Sequence, residues 1–237
     1  MKRIALVFAF LALSTAAEAK LVRLRVERRE LILAGKPFGL AGPYEKLVGR
    51  ADFAVDPRLP QNQLVIDLSL APTNPRGEVE FSADFYLLKP VDSQKGNGRL
   101  LYEVGNRGGK SLLASFQKAA GSNDPTTGAE FGDGSLMRQG FSLLWMGWQW
   151  DVPDGRMRME MPIATDHGKP ITGLVRGNFI LNQRENTASL ADRGHKAYPV
   201  LDPTSSENVM TVRANRLDPP QFVSRARWSL CCLPGEW

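Results

Sequence analysis

Chemistry in this chain has to begin at a glycine turn. Gly105-Asn-Arg-Gly-Gly-Lys-Ser111 follows the apolar, β-prone run Arg99 to Val104 and opens a stretch with helical spacing. A turn of that kind between strand and helix is a common place for an anion or an oxyanion. A nucleotide phosphate loop needs a glycine, four free residues and then Gly-Lys-Ser/Thr. Here the first of those positions is Val104, so the loop is one residue short and could not wrap its amides around a β-phosphate in the same way. An oxyanion hole needs backbone amides that a substrate can approach with no Cβ in the way, and Asn106, Gly108 and Gly109 are the candidates. The same glycines would also serve a plain tight turn.

A serine hydrolase further requires Gly-x-Ser-x-Gly at a strand-to-helix turn, followed by an acid and a histidine. No serine has that setting; Ser111 has Gly109 two residues before it but Leu113 two residues after it. His167 and His195 lie in polar segments and read as surface residues, so no triad assembles. Asp124, Asp133, Asp151, Asp154, Asp166 and His167 lack the spacing of a calcium loop and read as turn caps. Trp145, Trp148 and Trp150 could line a sugar or aromatic site, or simply pack at the end of a buried strand. Adjacent Cys231 and Cys232 give neither a disulfide framework nor a metal site. No cofactor is expected.

The elements around the turn alternate. Arg99–Val104 reads as a strand, and Lys110–Ala120 as a helix with Leu112, Leu113, Phe116 and Ala120 on one side. Leu136–Gly140 ends a second helix, and Phe141–Met146 is another strand. Strand–helix–strand order implies parallel pairing. Residues 20 to 90 look β-rich: Leu21–Glu27 partly alternates, Tyr44–Val55 suggests a strand interrupted at Gly49, and Leu64–Leu68 a short strand. Glu78–Leu88 puts Val79, Phe81, Ala83, Phe85 and Leu87 on one face, a firm half-buried antiparallel strand. After Trp150, strands are expected at Arg156–Met161, Leu174–Leu181, Val209–Ala214 and Phe222–Leu230.

The chain has 237 residues, 43% of them hydrophobic, enough for one substantial core. Its formal charge of +5 is scattered among acidic residues, the pattern of a solvated surface, and nucleic acid is not an expected partner. Lys2-Arg3, the apolar run Ile4–Leu13 and Ala17-Glu-Ala19 form a secretory signal over residues 1–19, which predicts an exported, periplasmic or extracellular protein. Nothing later is long and apolar enough for a stable membrane anchor.

A series of short motifs carries a resemblance. It runs through Ala41-Gly-Pro-Tyr-Glu45, Ala71-Pro-Thr-Asn-Pro-Arg-Gly77, Gly96-Asn-Gly-Arg-Leu-Leu-Tyr-Glu-Val104 and Asn106-Arg-Gly108, then Asn123-Asp-Pro-Thr-Thr127, Leu136-Met-Arg-Gln-Gly140 and Trp145-Met-Gly-Trp-Gln149. From about Val22 to Trp228 the chain resembles the N-terminal portion of the "alpha/beta hydrolase domain-containing" proteins, an exported, mostly uncharacterised family. The resemblance implies an α/β fold: a partial α/β-hydrolase-like sheet with additional N-terminal antiparallel strands, over residues 20–228. It implies esterase-type action on a small ester-like substrate. It also implies that the nucleophile, acid and histidine belong to polypeptide beyond residue 237, with residues 229–237 an atypical tail of a truncated chain. The alternative is a non-catalytic periplasmic β-rich ligand-binding module, with the three tryptophans as its platform.

Overall fold

The computed structural model describes residues 19–191 and 194–231, so all but the last residue of the expected signal, and most of the tail, lie outside the described residues. The chain divides into two compact units, Met1–Ile171 and Thr172–Trp237.

Unit 1 is built on β1 (Lys20–Leu31), β2 (Tyr44–Val55), β3 (Val79–Pro90), β4 (Leu100–Glu103), β5 (Ser142–Met146) and β6 (Met159–Glu160). The sheet order is β1-β2-β3-β5-β4, with β6 also on β3. Every pairing is antiparallel except β4–β5, which is parallel as the strand–helix–strand order predicted. β2 runs unbroken through Gly49. A Cβ there would lie 1.9 Å from the Arg25 carbonyl oxygen, so the glycine lets β1 approach where its register shifts around Glu27.

Helices cover one face of this sheet, and Ala51, Ala83 and Phe85 are buried on the other. Tyr44, Tyr86, Leu88, Leu143 and Trp145 meet Leu112, Leu113, Phe131, Leu136 and Met137 in a single buried cluster. The covering residues belong to three short helices, α1 (Leu112–Gln117), α2 (Gly128–Phe131) and α3 (Ser135–Arg138). Gln117, fully buried, joins all three. Its Nε2 donates to the Phe131 carbonyl at 3.0 Å, and its Oε1 accepts from the Leu136 amide at 2.8 Å. The Tyr44 hydroxyl ties β2 to α3 by donating toward the Met137 carbonyl at 2.9 Å.

The expected α/β class does not hold. The molecule is mostly β, a six-stranded mixed sheet with small accessory ladders, and no long helices flank the sheet among the described residues. The reason lies between β4 and β5. The helix expected over Lys110–Ala120 stops at Gln117, because Lys118 turns left-handed (φ 54°) and Gly121 to Pro125 cannot continue it. Glycines at 132 and 134, both with positive φ, then confine α2 and α3 to single turns. The crossover is three fragments, and all three pack on the face of Tyr86 and Leu88.

Other expectations shrink. Leu64–Leu68 forms turns, with Leu64 and Ile66 more than 80% exposed. β2 is paired on both sides, and the far side of β3 is taken by β6 at Ser82–Ala83 and by β5 at Phe85–Leu88; the apolar run joins neither strand. Only Met159–Glu160 of the Arg156–Met161 run is strand. β7 (Thr165–Asp166) and β8 (Lys169–Pro170) close unit 1 as a small hairpin.

Unit 2 contains one two-stranded ladder, β9 (Thr211–Val212) with β10 (Gln221–Phe222), in place of the two longer strands expected. Leu174–Leu181 forms no strand. The Arg225 guanidinium lies 3.9 Å from the Trp228 ring centroid and donates to the Pro203 carbonyl.

Candidate functional site

The glycine turn sits at the C-terminal end of β4, beside the C-terminal end of β5. Arg107 at its centre has φ 52°, and Gly108 follows with φ 70°. Two bonds from the segment after β5 hold this left-handed step. The Arg107 amide donates to Gln149 Oε1 at 3.0 Å, and its guanidinium donates to Asp151 Oδ1 at 2.9 Å. The Gly108 carbonyl accepts from the Met157 amide at 3.1 Å, and a Cβ on Gly108 would lie 2.3 Å from the Met157 carbonyl oxygen. Glycine is therefore required at 108 by both conformation and space.

Sequence reasoning missed Glu103, the residue that organises the site. It is the last residue of β4, pairs across the sheet with Trp145, and points to the covered face. Its carboxylate accepts from the Ser111 amide at 2.9 Å, the Leu112 amide at 2.8 Å and the Ser111 hydroxyl at 2.5 Å. The Trp145 indole N–H donates to it as well. Burial alone would raise this carboxyl's pKa; the bonds from Ser111, Leu112 and Trp145 outweigh it and hold the group below the usual glutamate range. The place at the start of α1 where an external anion would sit is thus filled by the chain's own carboxylate. Within the sequence the signal was a lone acid at an inward position of an apolar strand; its partners lie 8, 9 and 42 residues away.

The three oxyanion candidates fall into different settings. Asn106 is exposed at the start of the turn. The Gly109 amide donates back to the Asn106 carbonyl at 3.1 Å. Gly108 is buried against Met157 and Arg156. Lys110, next along, is half-buried, with its ammonium donating to the Asn123 carbonyl and 4.6 Å from the Tyr86 ring centroid. Burial pulls its pKa down to about 8, against the pull of Asp124, Asp84 and Glu103.

The other candidates are dispersed. Ser111 Oγ faces a carboxylate and no imidazole. His167 is 95% exposed, 3.6 Å from Asp166. With Gly168 it forms the two-residue turn between β7 and β8, both at positive φ, which is the geometry a tight hairpin demands. Asp124 binds Arg28 and Lys46, Asp151 binds Arg107, and Asp154 binds Arg158. Among the described residues no group of three His, Cys, Asp or Glu is placed to hold a metal. No helix among them is long and apolar enough to cross a membrane.

Trp145 is buried in the core. Trp148 is half exposed, with its indole N–H on the Gly105 carbonyl at 2.7 Å, and Trp150 is intermediate. Two hollows, about 420 Å³ at Val212–Gln221 and about 400 Å³ at Phe53, Phe81 and Glu160, do not touch the glycine turn. Set against family models, curated proteins and solved structures, the chain matches none of them.

Proposed function

We propose that this chain is part of an exported, esterase-type protein of the hydrolase-like family it resembles. It supplies the glycine loop, and the nucleophile and its histidine base lie on further polypeptide. One observation carries the reading. The C-terminal ends of the parallel pair β4–β5 are locked together by Arg107 on Gln149 and Asp151, and the glycine loop is held at that end. In open α/β sheets ligands are taken up outside the carboxyl ends of the strands, and the β4–β5 pair presents the same end. The substrate class is a small ester or related acyl compound.

Under this reading Glu103 is a positioning group that fixes the start of α1 and the turn before it. Two assays test the proposal together. The 237-residue protein should turn over p-nitrophenyl esters at background and take no fluorophosphonate label. The protein extended through the downstream reading frame should label at one serine. Ester turnover by the 237-residue protein, lost on Ser111→Ala, would overturn the reading. So would a downstream frame that encodes no serine and histidine able to pair.

A further inference from the structure

We propose that the free edge of β4 is a self-association site whose occupant is a second copy of this chain, paired antiparallel about a two-fold axis near Leu101. This site is independent of the hydrolase reading, because it uses only the sheet edge.

The sheet ends in β1 on one side and β4 on the other. β1 carries Arg23, Arg25, Arg28 and Arg29, and its register shifts twice, after Leu21 and after Val26. Charges and bulges of this kind block strand addition. β4 has no bulge, and its one charge, Glu103, is bonded to Ser111 and Leu112 of its own chain. Its four residues are Leu-Leu-Tyr-Glu in unbroken register with β5, and no strand pairs with its other side among the described residues. Leu100, Tyr102 and the following Val104 are 56%, 46% and 63% exposed, on a strand whose inner partner Leu143 is fully buried.

The strand is also complementary to itself. Antiparallel pairing centred on Leu101 sets Leu100 of one copy opposite Tyr102 of the other, a pair of the aliphatic–aromatic type that stabilises cross-strand contact. The Glu103 carboxylate stays bonded to Ser111 and Leu112 of its own chain, so the apolar residues carry the contact. Two-fold pairing makes the Leu100–Tyr102 contact twice. With only four residues of edge, the interface belongs to the weak, transient class.

Sedimentation velocity over a range of concentrations tests this, with hydrogen exchange on the same samples. The 237-residue protein should shift reversibly from monomer to dimer. Amides of residues 100–104 should gain protection with concentration while those of β1 do not. Tyr102→Lys, which puts a charge on the exposed side of the edge, should leave a folded monomer at every concentration reached. Leu100→Asp, which sets a carboxylate opposite Tyr102 of the second copy, should weaken dimerisation at least several-fold. A circular dichroism spectrum matching the parent shows that each variant is folded. A protein that stays monomeric at all concentrations overturns the proposal. So does association beyond a dimer, or a dimer constant unchanged by either substitution.

Discussion

Unit 1 and unit 2 draw on the same kinds of residue and reach opposite outcomes. Unit 1 closes Tyr44, Leu88, Leu143, Trp145 and Met137 into one cluster. Unit 2 leaves Leu174 at 100%, Ile180 at 90% and Leu217 at 94% exposure, and no apolar residue described after Met157 is buried. Apolar content is therefore not what separates them. Unit 1 offers long strands whose residues on one face pack with three helices in one cluster. Unit 2 has a ladder two residues deep, so its apolar side chains have nothing to close on.

The contrast between the units is most exposed to test at Trp145. Trp145→Ala removes a side chain that fills the core and also holds Glu103, and should cost about 3–5 kcal/mol in chemical denaturation. A loss near that of a surface residue would mean that the cluster is not the core. Gln117→Ala comes next. It strands the Phe131 carbonyl and the Leu136 amide, and should cost about 1–3 kcal/mol. Gln117→Glu should cost more at neutral pH than at acid pH, since the charged form cannot donate to Phe131.

A pH dependence inside unit 1 ranks third. Lys110 titrates at about 8 in the fold and near its ordinary value of 10.5 when unfolded. Between those values the unfolded chain binds more protons, so stability should rise with pH. Lys110→Met should remove that rise, leaving the slope between those two pH values flatter; an unchanged slope would assign the rise to another group. The smallest effect is expected in unit 2. Leu174→Ala and Ile180→Ala should each change stability by less than about 0.5 kcal/mol. A loss several times larger would show that unit 2 buries these residues after all.

The sequence announced what depends on near neighbours. The alternation of Val79 to Leu87 read as a half-buried strand; β3 runs over it, but burial reaches both faces, and the large core cluster takes Tyr86 and Leu88 from the face expected to be polar. The order strand, glycine turn, helix, strand read as a parallel pair, and β4–β5 is one. Features that depend on distant partners stayed hidden. Leu64–Leu68 and Leu174–Leu181 have strand composition, but a strand needs a partner, and neither run pairs with the sheet. Glu103 read as one residue of an apolar run, because its four donors come from Ser111, Leu112 and Trp145. Gln117 was an anonymous helical position until α2 and α3 closed on it. The oxyanion candidates were found from glycine content, which speaks of backbone freedom and not of where the amides point.

The glycine turn depends on Glu103 filling the anion position at the start of α1, and the carboxyl carbon of that residue reports on it directly. Followed by NMR as pH falls, Glu103 should titrate below the usual value of about 4.3, with a midpoint unmoved by excess inorganic phosphate. The stability it contributes should be present above the unfolded value and lost as pH falls through that midpoint. A midpoint at or above the ordinary value, or one that shifts on adding phosphate, would mean that the turn is open to an outside anion and that its own carboxylate does not close it.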